Sequence, residues 1–205
     1  MPKKKYDPIL KALARFFFKL LFIKVEVEGV QNVNVDEVYV IMGNHVSMFD
    51  IPLMFGFLPM SFVGIEASEH FKTPLYGWAL KRYGNIPINR KSSRASMQSI
   101  LEGVERIKNG SSVVILPEGT RTVTKEMGTF KKFPFLLAQK AGKDILPFAF
   151  SGLWNINNKT SWLIQPGRVT IKFGKPISSE LVESYEINEL MIIVREQISV
   201  LISRP

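Results

Sequence analysis

A histidine and an aspartate five residues apart are the first candidates for chemistry in this 205-residue sequence. His45 and Asp50 lie in the segment 44–50, directly after an apolar run that indicates a buried strand. Positions five apart lie about 140° apart around a helix, so the side chains meet only if the chain turns between them. The carboxylate would then fix the imidazole tautomer and leave the other ring nitrogen to take a proton from a substrate hydroxyl. Two structural roles remain open at this point: Asp50 as an N-cap ahead of Pro52, and His45 as a hydrogen-bonded strand-end residue.

A second polar cluster, Glu118 to Arg121, follows the predicted strand 112–116. Gly119 lets the backbone approach an anion, Thr120 offers a hydroxyl, and Arg121 offers a planar fork for phosphate or for the Glu118 carboxylate. The chain has no Walker-type lysine pattern, so a nucleotide P-loop is not supported. The alternative is a turn closed by an internal pair between Glu118 and Arg121.

A third cluster ends at Arg90, which follows the short predicted strand 86–88. Its guanidinium could face the same anion as the cluster at 118–121. Lys131 and Lys132 follow Phe130 and could add positive charge there. Each of these cations could also be an ordinary solvated surface charge.

Cysteine chemistry is excluded because the chain contains no Cys. A thiolate nucleophile and a disulfide are therefore ruled out, and a reducing compartment is permitted. The two histidines, with scattered carboxylates, show no recognisable metal-ligand spacing. We predict neither a metal nor a cofactor.

The elements around these clusters alternate between strands and helices, which predicts an α/β fold. We expect one domain over residues 25–205, with a mixed, largely buried sheet flanked by helices. Ligand sites in such sheets lie beyond the carboxyl ends of strands, where all three clusters fall. Strands are predicted at 25–29, 37–43, 61–65, 86–88, 112–116, 145–150 and 169–173, and helices at 51–57, 75–82, 96–107, 134–141 and after Ser178 or Ser179, with a loop at 151–166.

Residues 1–24 hold seven basic residues and one acidic residue, which is +6 of the formal net charge of +9. Lys11, Arg15 and Lys19 recur every four residues in an otherwise apolar stretch that ends at Ile23. This pattern predicts an amphipathic helix in a membrane interface, and it is shorter than the ~20 apolar residues of a transmembrane span. Nucleic acid is not predicted as a partner. The alternative is a helix that packs on the core and exposes a basic face.

The motifs together resemble the four ordered blocks of the glycerolipid acyltransferases. The blocks are Asn44-His45-x-x-x-x-Asp50, Gly84-x-Ile86-x-Ile88-x-Arg90, Pro117-Glu118-Gly119-Thr120-Arg121 and Ile145-Leu146-Pro147. The resemblance covers residues 25–177 and is greatest with the bacterial 1-acylglycerol-3-phosphate acyltransferases.

The resemblance implies transfer of a fatty acyl group from acyl-CoA or acyl-carrier protein to the free hydroxyl of 1-acylglycerol 3-phosphate, giving phosphatidic acid. No metal and no covalent enzyme intermediate are implied. His45 would be the base, Asp50 its orienting partner, and Arg90 the contact to the acceptor phosphate. Glu118, Gly119, Thr120 and Arg121 would shape the acceptor site, and Pro147 belongs to the acyl-donor block. We expect a monotopic or peripheral enzyme on the cytoplasmic face, with membrane lipids as partners.

The sequence departs from the family pattern at three places, and the last of them bears on the identity of the acceptor. Leu116 stands where the third block usually has Phe, Phe133-Pro134 stands where a small residue is frequent, and Glu66-Ala67-Ser68 replaces a lysine-rich run. Glycerol 3-phosphate, a lysophospholipid or an aminolipid could be the acceptor instead. A peripheral lipid-binding protein without turnover is the non-enzymatic alternative.

Overall fold

The computed structural model describes residues 7–89 and 92–203. Its centre is a sheet of seven strands: β1 (Ile23–Glu28), β2 (Val40–Gly43), β3 (Phe62–Ala67), β4 (Ile86–Ile88), β5 (Ser112–Ile115), β6 (Ile145–Ser151) and β7 (Gly167–Phe173). Their order in the sheet is β1-β7-β6-β2-β5-β3-β4. β6 and β7 pair antiparallel and every other neighbouring pair is parallel, so the sheet is mixed, as predicted.

Helices cover both faces of the sheet because alternate strand residues point to opposite sides. The helices are α1 (Asp7–Leu20), α2 (Asp50–Phe57), α3 (Tyr76–Tyr83), α4 (Ser93–Lys108), α5 (Phe133–Ala141), α6 (Leu153–Ile156), α7 (Ser179–Ser184) and α8 (Ile187–Ser203), with 3₁₀ turns at Val30–Asn32 and His70–Lys72. Val40 and Met42 share one buried cluster with α4, α5 and α8, whereas Ile41 shares the other with α1 and α2.

Several element boundaries differ from the predictions by one to three residues, and one predicted loop contains a helix. The strand predicted at 37–43 begins only at Val40, because the preceding residue, Tyr39, donates its backbone N–H to the Ser112 hydroxyl. The loop predicted at 151–166 begins with the single helical turn α6. Gly152, at a φ of 82°, turns the chain into that helix, and the side chains of its first and last residues, Leu153 and Ile156, are buried.

The N-terminal helix α1 packs against α2 with one face and leaves an apolar face exposed. Phe18 is buried edge-on against Phe49 and Phe57, with ring centroids 5.9 and 6.0 Å apart. Arg15 donates a 2.9 Å hydrogen bond to the Gly56 carbonyl, so part of the predicted basic stripe turns toward the body of the protein. The exposed apolar residues of α1 are Ile9, Leu13, Phe16, Phe17 and Leu20.

β1 begins at Ile23, two residues before the predicted domain boundary, and residues 1–6 lie outside the described part of the chain. The division into 1–24 and 25–205 stays a prediction. In the described residues, every helix is too short or too polar to cross a bilayer.

Candidate active site

The segment 44–50, which we call the histidine turn, connects the carboxyl end of β2 to the start of α2. Asn44 fixes its beginning, because its side chain accepts from the Phe150 N–H at 2.8 Å and donates to the Phe150 carbonyl at 3.1 Å. Gly43 is required just before the turn, since a Cβ atom there would lie 2.4 Å from the Phe148 ring. The turn is therefore anchored to the neighbouring strand β6.

The turn brings His45 and Asp50 into direct contact, as the sequence predicted for a turning chain. His45 Nδ1 lies 2.6 Å from Asp50 Oδ2. The carboxylate also accepts backbone N–H bonds from Val46 at 2.9 Å and from Ser47 at 3.1 Å. These donors precede Asp50 in the chain, whereas an N-cap bonds residues that follow it, and the residue capping α2 is Phe49.

The burial of the two side chains differs in the way a base and its orienting group require. Asp50 is fully buried, whereas the His45 side chain is 23% exposed and faces a cleft. Burial raises the pKa of Asp50, and the hydrogen bonds from His45, Val46 and Ser47 oppose that rise. With Nδ1 engaged, Nε2 is the ring nitrogen available to a substrate.

Glu118 holds the histidine turn from the side of β5. Its Oε1 accepts the backbone N–H of His45 at 2.7 Å, and its Oε2 accepts that of Gly128 at 2.7 Å. Burial raises the pKa of Glu118, and these backbone donors oppose the rise. Glu118 is buried behind the cleft wall, so the contacts the structure gives it are positioning contacts.

Arg195 of α8 supports Glu118 from behind and was not found from the sequence. Its guanidinium donates to the carbonyls of Met127, at 2.7 Å, and of Gly128, and it lies over the Phe130 ring. A continuous set of contacts thus joins α8 through Gly128 and Glu118 to His45. No local pattern pointed to a residue so far along the chain.

A cleft of about 1000 Å³ opens beside His45. Four other predicted site residues line it: Gly119, Thr120, Arg121 and Lys131. Lys159, which the sequence reading missed, also lines it and donates to the Thr120 hydroxyl at 3.2 Å. The remaining lining is largely apolar and includes Met48, Ile51, Met54, Phe55, Phe62 and Phe133. The cleft thus combines a basic rim with walls suited to an aliphatic chain.

Pro147, which the resemblance assigns to the acyl-donor block, does not line the cleft. It is buried in the middle of β6, where it pairs with Met42 of β2 and packs under Gly174. Arg90 lies outside the described residues, and its contact with a phosphate stays a prediction.

The wall of the cleft formed by β3 carries a carboxylate. Glu66 Oε2 accepts from the Tyr76 hydroxyl at 2.8 Å and lies 3.2 Å from His70 Nδ1, and Oε1 accepts from Asn85 at 3.1 Å. Burial and the neighbouring Glu66 raise the pKa of Tyr76. Within residues 7–89 and 92–203, no group of three or more His, Asp or Glu side chains is arranged to hold a metal ion.

Comparisons with known proteins identify relatives of this chain. The family model described as Acyltransferase matches residues 24–151, which include the histidine turn and Glu118. The chain is 32% identical over 162 residues to the 1-acyl-sn-glycerol-3-phosphate acyltransferase of Pseudomonas aeruginosa, covering 77% of this chain and 61% of that protein. It is 32% identical over 181 residues to a chloroplastic 1-acyl-sn-glycerol-3-phosphate acyltransferase of Arabidopsis thaliana, covering 84% of this chain and 51% of that protein.

The fold is also similar to a crystal structure. The 1-acyl-sn-glycerophosphate acyltransferase PlsC of Thermotoga maritima superposes with a TM-score of 0.84 at 28% identity, over 97% of this chain and 79% of that one. The chain spans about half the length of the curated plant relatives that it matches.

Proposed function

The chain belongs to the acyltransferase family, and we propose that it transfers a fatty acyl group from an acyl thioester to the free hydroxyl of 1-acylglycerol 3-phosphate. Acyl-CoA and acyl-carrier protein present the same thioester and are both candidate donors. The observation that carries the proposal is the His45–Asp50 pair, held at 2.6 Å at the edge of an apolar cleft with a basic rim.

The chemistry follows from the geometry of that pair. His45 Nε2 takes the proton of the acceptor hydroxyl as its oxygen attacks the thioester carbonyl, and Asp50 stabilises the imidazolium that forms. Collapse of the tetrahedral intermediate breaks the C–S bond, and the imidazolium returns the proton to the thiolate. A positioned base contributes about 10²- to 10⁴-fold to the rate, and orientation of the two substrates in the cleft supplies more.

The test is product formation from a panel of lysolipids with acyl-CoA and acyl-carrier protein, followed by mass spectrometry. The full chain should yield phosphatidic acid, and His45→Ala should lower kcat by about 10²-fold or more while its thermal unfolding stays unchanged. Near-normal turnover in His45→Ala would exclude the pair as the catalytic centre. Absence of any acylated lysolipid with the unmodified chain would exclude the function.

A second acceptor class is favoured by Glu66. Its carboxylate stands in the wall of the cleft and would repel a phosphate monoester, whereas it would attract an ammonium group. An amine-bearing lysolipid in the same panel tests this alternative. If that lysolipid is acylated faster than 1-acylglycerol 3-phosphate, and Glu66→Gln reverses the order, the acceptor is an aminolipid.

The exposed apolar face of α1 supports a peripheral or monotopic location on a membrane. Leu13, Phe16 and Leu20 recur at helical spacing on the side facing away from α2, and Lys19 lies beside them, so the helix can bury these side chains among lipid headgroups. The cytoplasmic leaflet is the expected surface because it carries the anionic lipids that attract basic residues.

A further inference from the structure

The most exposed large apolar side chains of the described residues lie in loops and in the first turn of α3, at one end of the strands of the sheet. They are Trp162 at 90%, Leu75 at 84%, Phe22 at 83%, Leu163 at 72% and Trp78 at 68% exposed. Trp162 and Leu163 follow β6, and Leu75 and Trp78 follow β3. Phe22 precedes β1, which runs antiparallel to β6. All five therefore lie at the end of the sheet where β2 terminates and the chain continues to His45.

The segment 157–165, which we call the β6–β7 loop, is held in shape by its own hydrogen bonds. The Asn157 amide donates to the carbonyls of Ser161 and Leu163 at 3.2 Å each. The Ser161 hydroxyl accepts from the Leu163 N–H at 3.1 Å, and Gln165 N–H bonds the Ile156 carbonyl at 2.9 Å. An ordered loop that presents a Trp and a Leu to water indicates a surface that binds something apolar.

The same loop is tied to the histidine turn. The Ser47 hydroxyl donates to Asn157 Oδ1 at 2.7 Å, and both residues are buried. The Ser47 backbone N–H in turn donates to Asp50. Trp162 and Leu163 therefore have a fixed position relative to His45 and the cleft.

The charges around the loop favour an anionic occupant. Lys159 lies in the loop itself, and Lys24 and Arg168 lie opposite each other at the starts of β1 and β7. Glu26 is the acidic residue that pairs with the last two, at 2.8 and 3.6 Å. These three basic residues outnumber Glu26 at the end of the sheet that carries the exposed indole and aliphatic groups, and this composition binds an anionic lipid surface.

We propose that Trp162 and Leu163 of the β6–β7 loop insert into an anionic bilayer and set the mouth of the cleft against it. The proposal rests on the proposed function for its lipid substrate, and it names a contact separate from α1. The apolar face of α1 belongs to a helix that contacts α2, whereas the loop joins β6 to β7 at the end of the sheet that carries His45. Insertion of the loop brings a lysolipid in the leaflet to the cleft without its passage through water.

The absence of native Cys makes a site-specific test direct. Leu163→Cys is labelled with the environment-sensitive dye NBD. The matched control is Val30→Cys, because Val30 is exposed and follows β1 at the opposite end of the strands. Each protein is mixed with phosphatidylcholine vesicles with and without phosphatidylglycerol. The label at 163 should brighten, shift to shorter wavelength and be quenched by brominated lipid with the anionic vesicles, and the label at 30 should not. An unchanged label at 163 with vesicle-bound protein overturns the proposal, and so does a blue shift in solution that depends on protein concentration, because a second copy then covers the loop.

A second measurement separates this proposal from the proposed function. The double variant Trp162→Ser with Leu163→Ser should keep the turnover of a short-chain, water-soluble acceptor and lose about tenfold or more with a vesicle-borne acceptor. Equal turnover with both acceptors in this variant overturns the loop contact. If the unmodified chain acylates no acceptor while the label at 163 still inserts, the proposed function fails and the loop contact stands.

Discussion

The carboxylate of Glu118 accepts a 2.7 Å hydrogen bond from the backbone N–H of His45, 73 residues earlier in the chain. The bond holds the backbone of the histidine, whereas Asp50 holds its ring. Because the second Glu118 oxygen bonds Gly128, the side chain connects two loops at the carboxyl edge of the sheet.

Replacement of Glu118 by Gln should impair catalysis more than folding. An amide has one acceptor oxygen, so its NH₂ group must face the N–H of either His45 or Gly128. We expect kcat to fall by about 10²-fold because a small displacement of the base is costly, with little change in KM. Glu126→Gln, in the same loop and exposed, is the matched control. Equal kinetics in the two variants would show that the bond to His45 has no catalytic consequence.

The pH dependence of stability should change in the same variant. Burial raises the pKa of Glu118, so the folded state binds this proton more tightly than the unfolded state. The free energy of unfolding contributed by this group is therefore greatest below the unfolded pKa, falls as the pH rises through the folded pKa, and is level above it. The free energy of unfolding, measured with urea from about pH 4 to pH 8, should fall less in Glu118→Gln than in the unmodified chain. A fall of the same size in both would assign the effect to other groups.

Two substitutions of Asp50 distinguish an orienting carboxylate from a helix cap. Asp50→Asn should lower kcat by about 10²-fold or more, because a neutral amide cannot stabilise the imidazolium. Asp50→Ser keeps a good capping residue but removes the contact to His45 Nδ1. We expect it to lose activity and about 1–3 kcal/mol of stability, since the N–H groups of Val46 and Ser47 lose their acceptor. Full stability with full activity in Asp50→Ser would restore the capping role.

Arg90 is predicted to bind the phosphate of the acceptor. Arg90→Ala should raise KM for a phosphate-bearing acceptor far more than for an acceptor without phosphate, because only the first forms a charge-assisted bond. Arg94→Ala, an exposed arginine in the first turn of α4, is the control. The same rise in KM with both acceptors would place Arg90 at the donor site or in the fold.

The elements that position His45 could be predicted from the sequence because their signals are local. The run of apolar residues before Asn44 marks β2, and the polar residues after it mark the turn into α2. The contact between His45 and Asp50 followed from this turn. Glycine at 119 and the basic residues at 121 and 131 were placed at the cleft because strand ends of a parallel sheet lie together.

The supporting contacts could not be predicted because they join distant segments. Asn157 reaches Ser47 across 110 residues, and Arg195 reaches Gly128 across 67. Neither residue has a local sequence pattern that sets it apart from the polar residues of the surface. The same holds for Lys159, which lies in a segment predicted only as a loop.

The exposed face of α1 should decide how strongly the protein binds membranes. Deletion of residues 1–23 would also remove Phe18 from the core, so substitutions on the two faces of the helix give the cleaner experiment. Leu13→Ser, Phe16→Ser and Leu20→Ser together should reduce sedimentation with anionic vesicles by about tenfold or more, with little change in unfolding temperature, because these side chains are largely exposed. Phe18→Ala is the opposite case: it should cost about 3–5 kcal/mol of stability through the cavity it leaves against Phe49 and Phe57.

High salt should weaken vesicle binding of the unmodified chain without abolishing it, since the attraction of Lys19 is screened and the apolar contact is not. Vesicle binding that survives the three serine substitutions would refute the role of this face and leave the β6–β7 loop as the principal membrane contact.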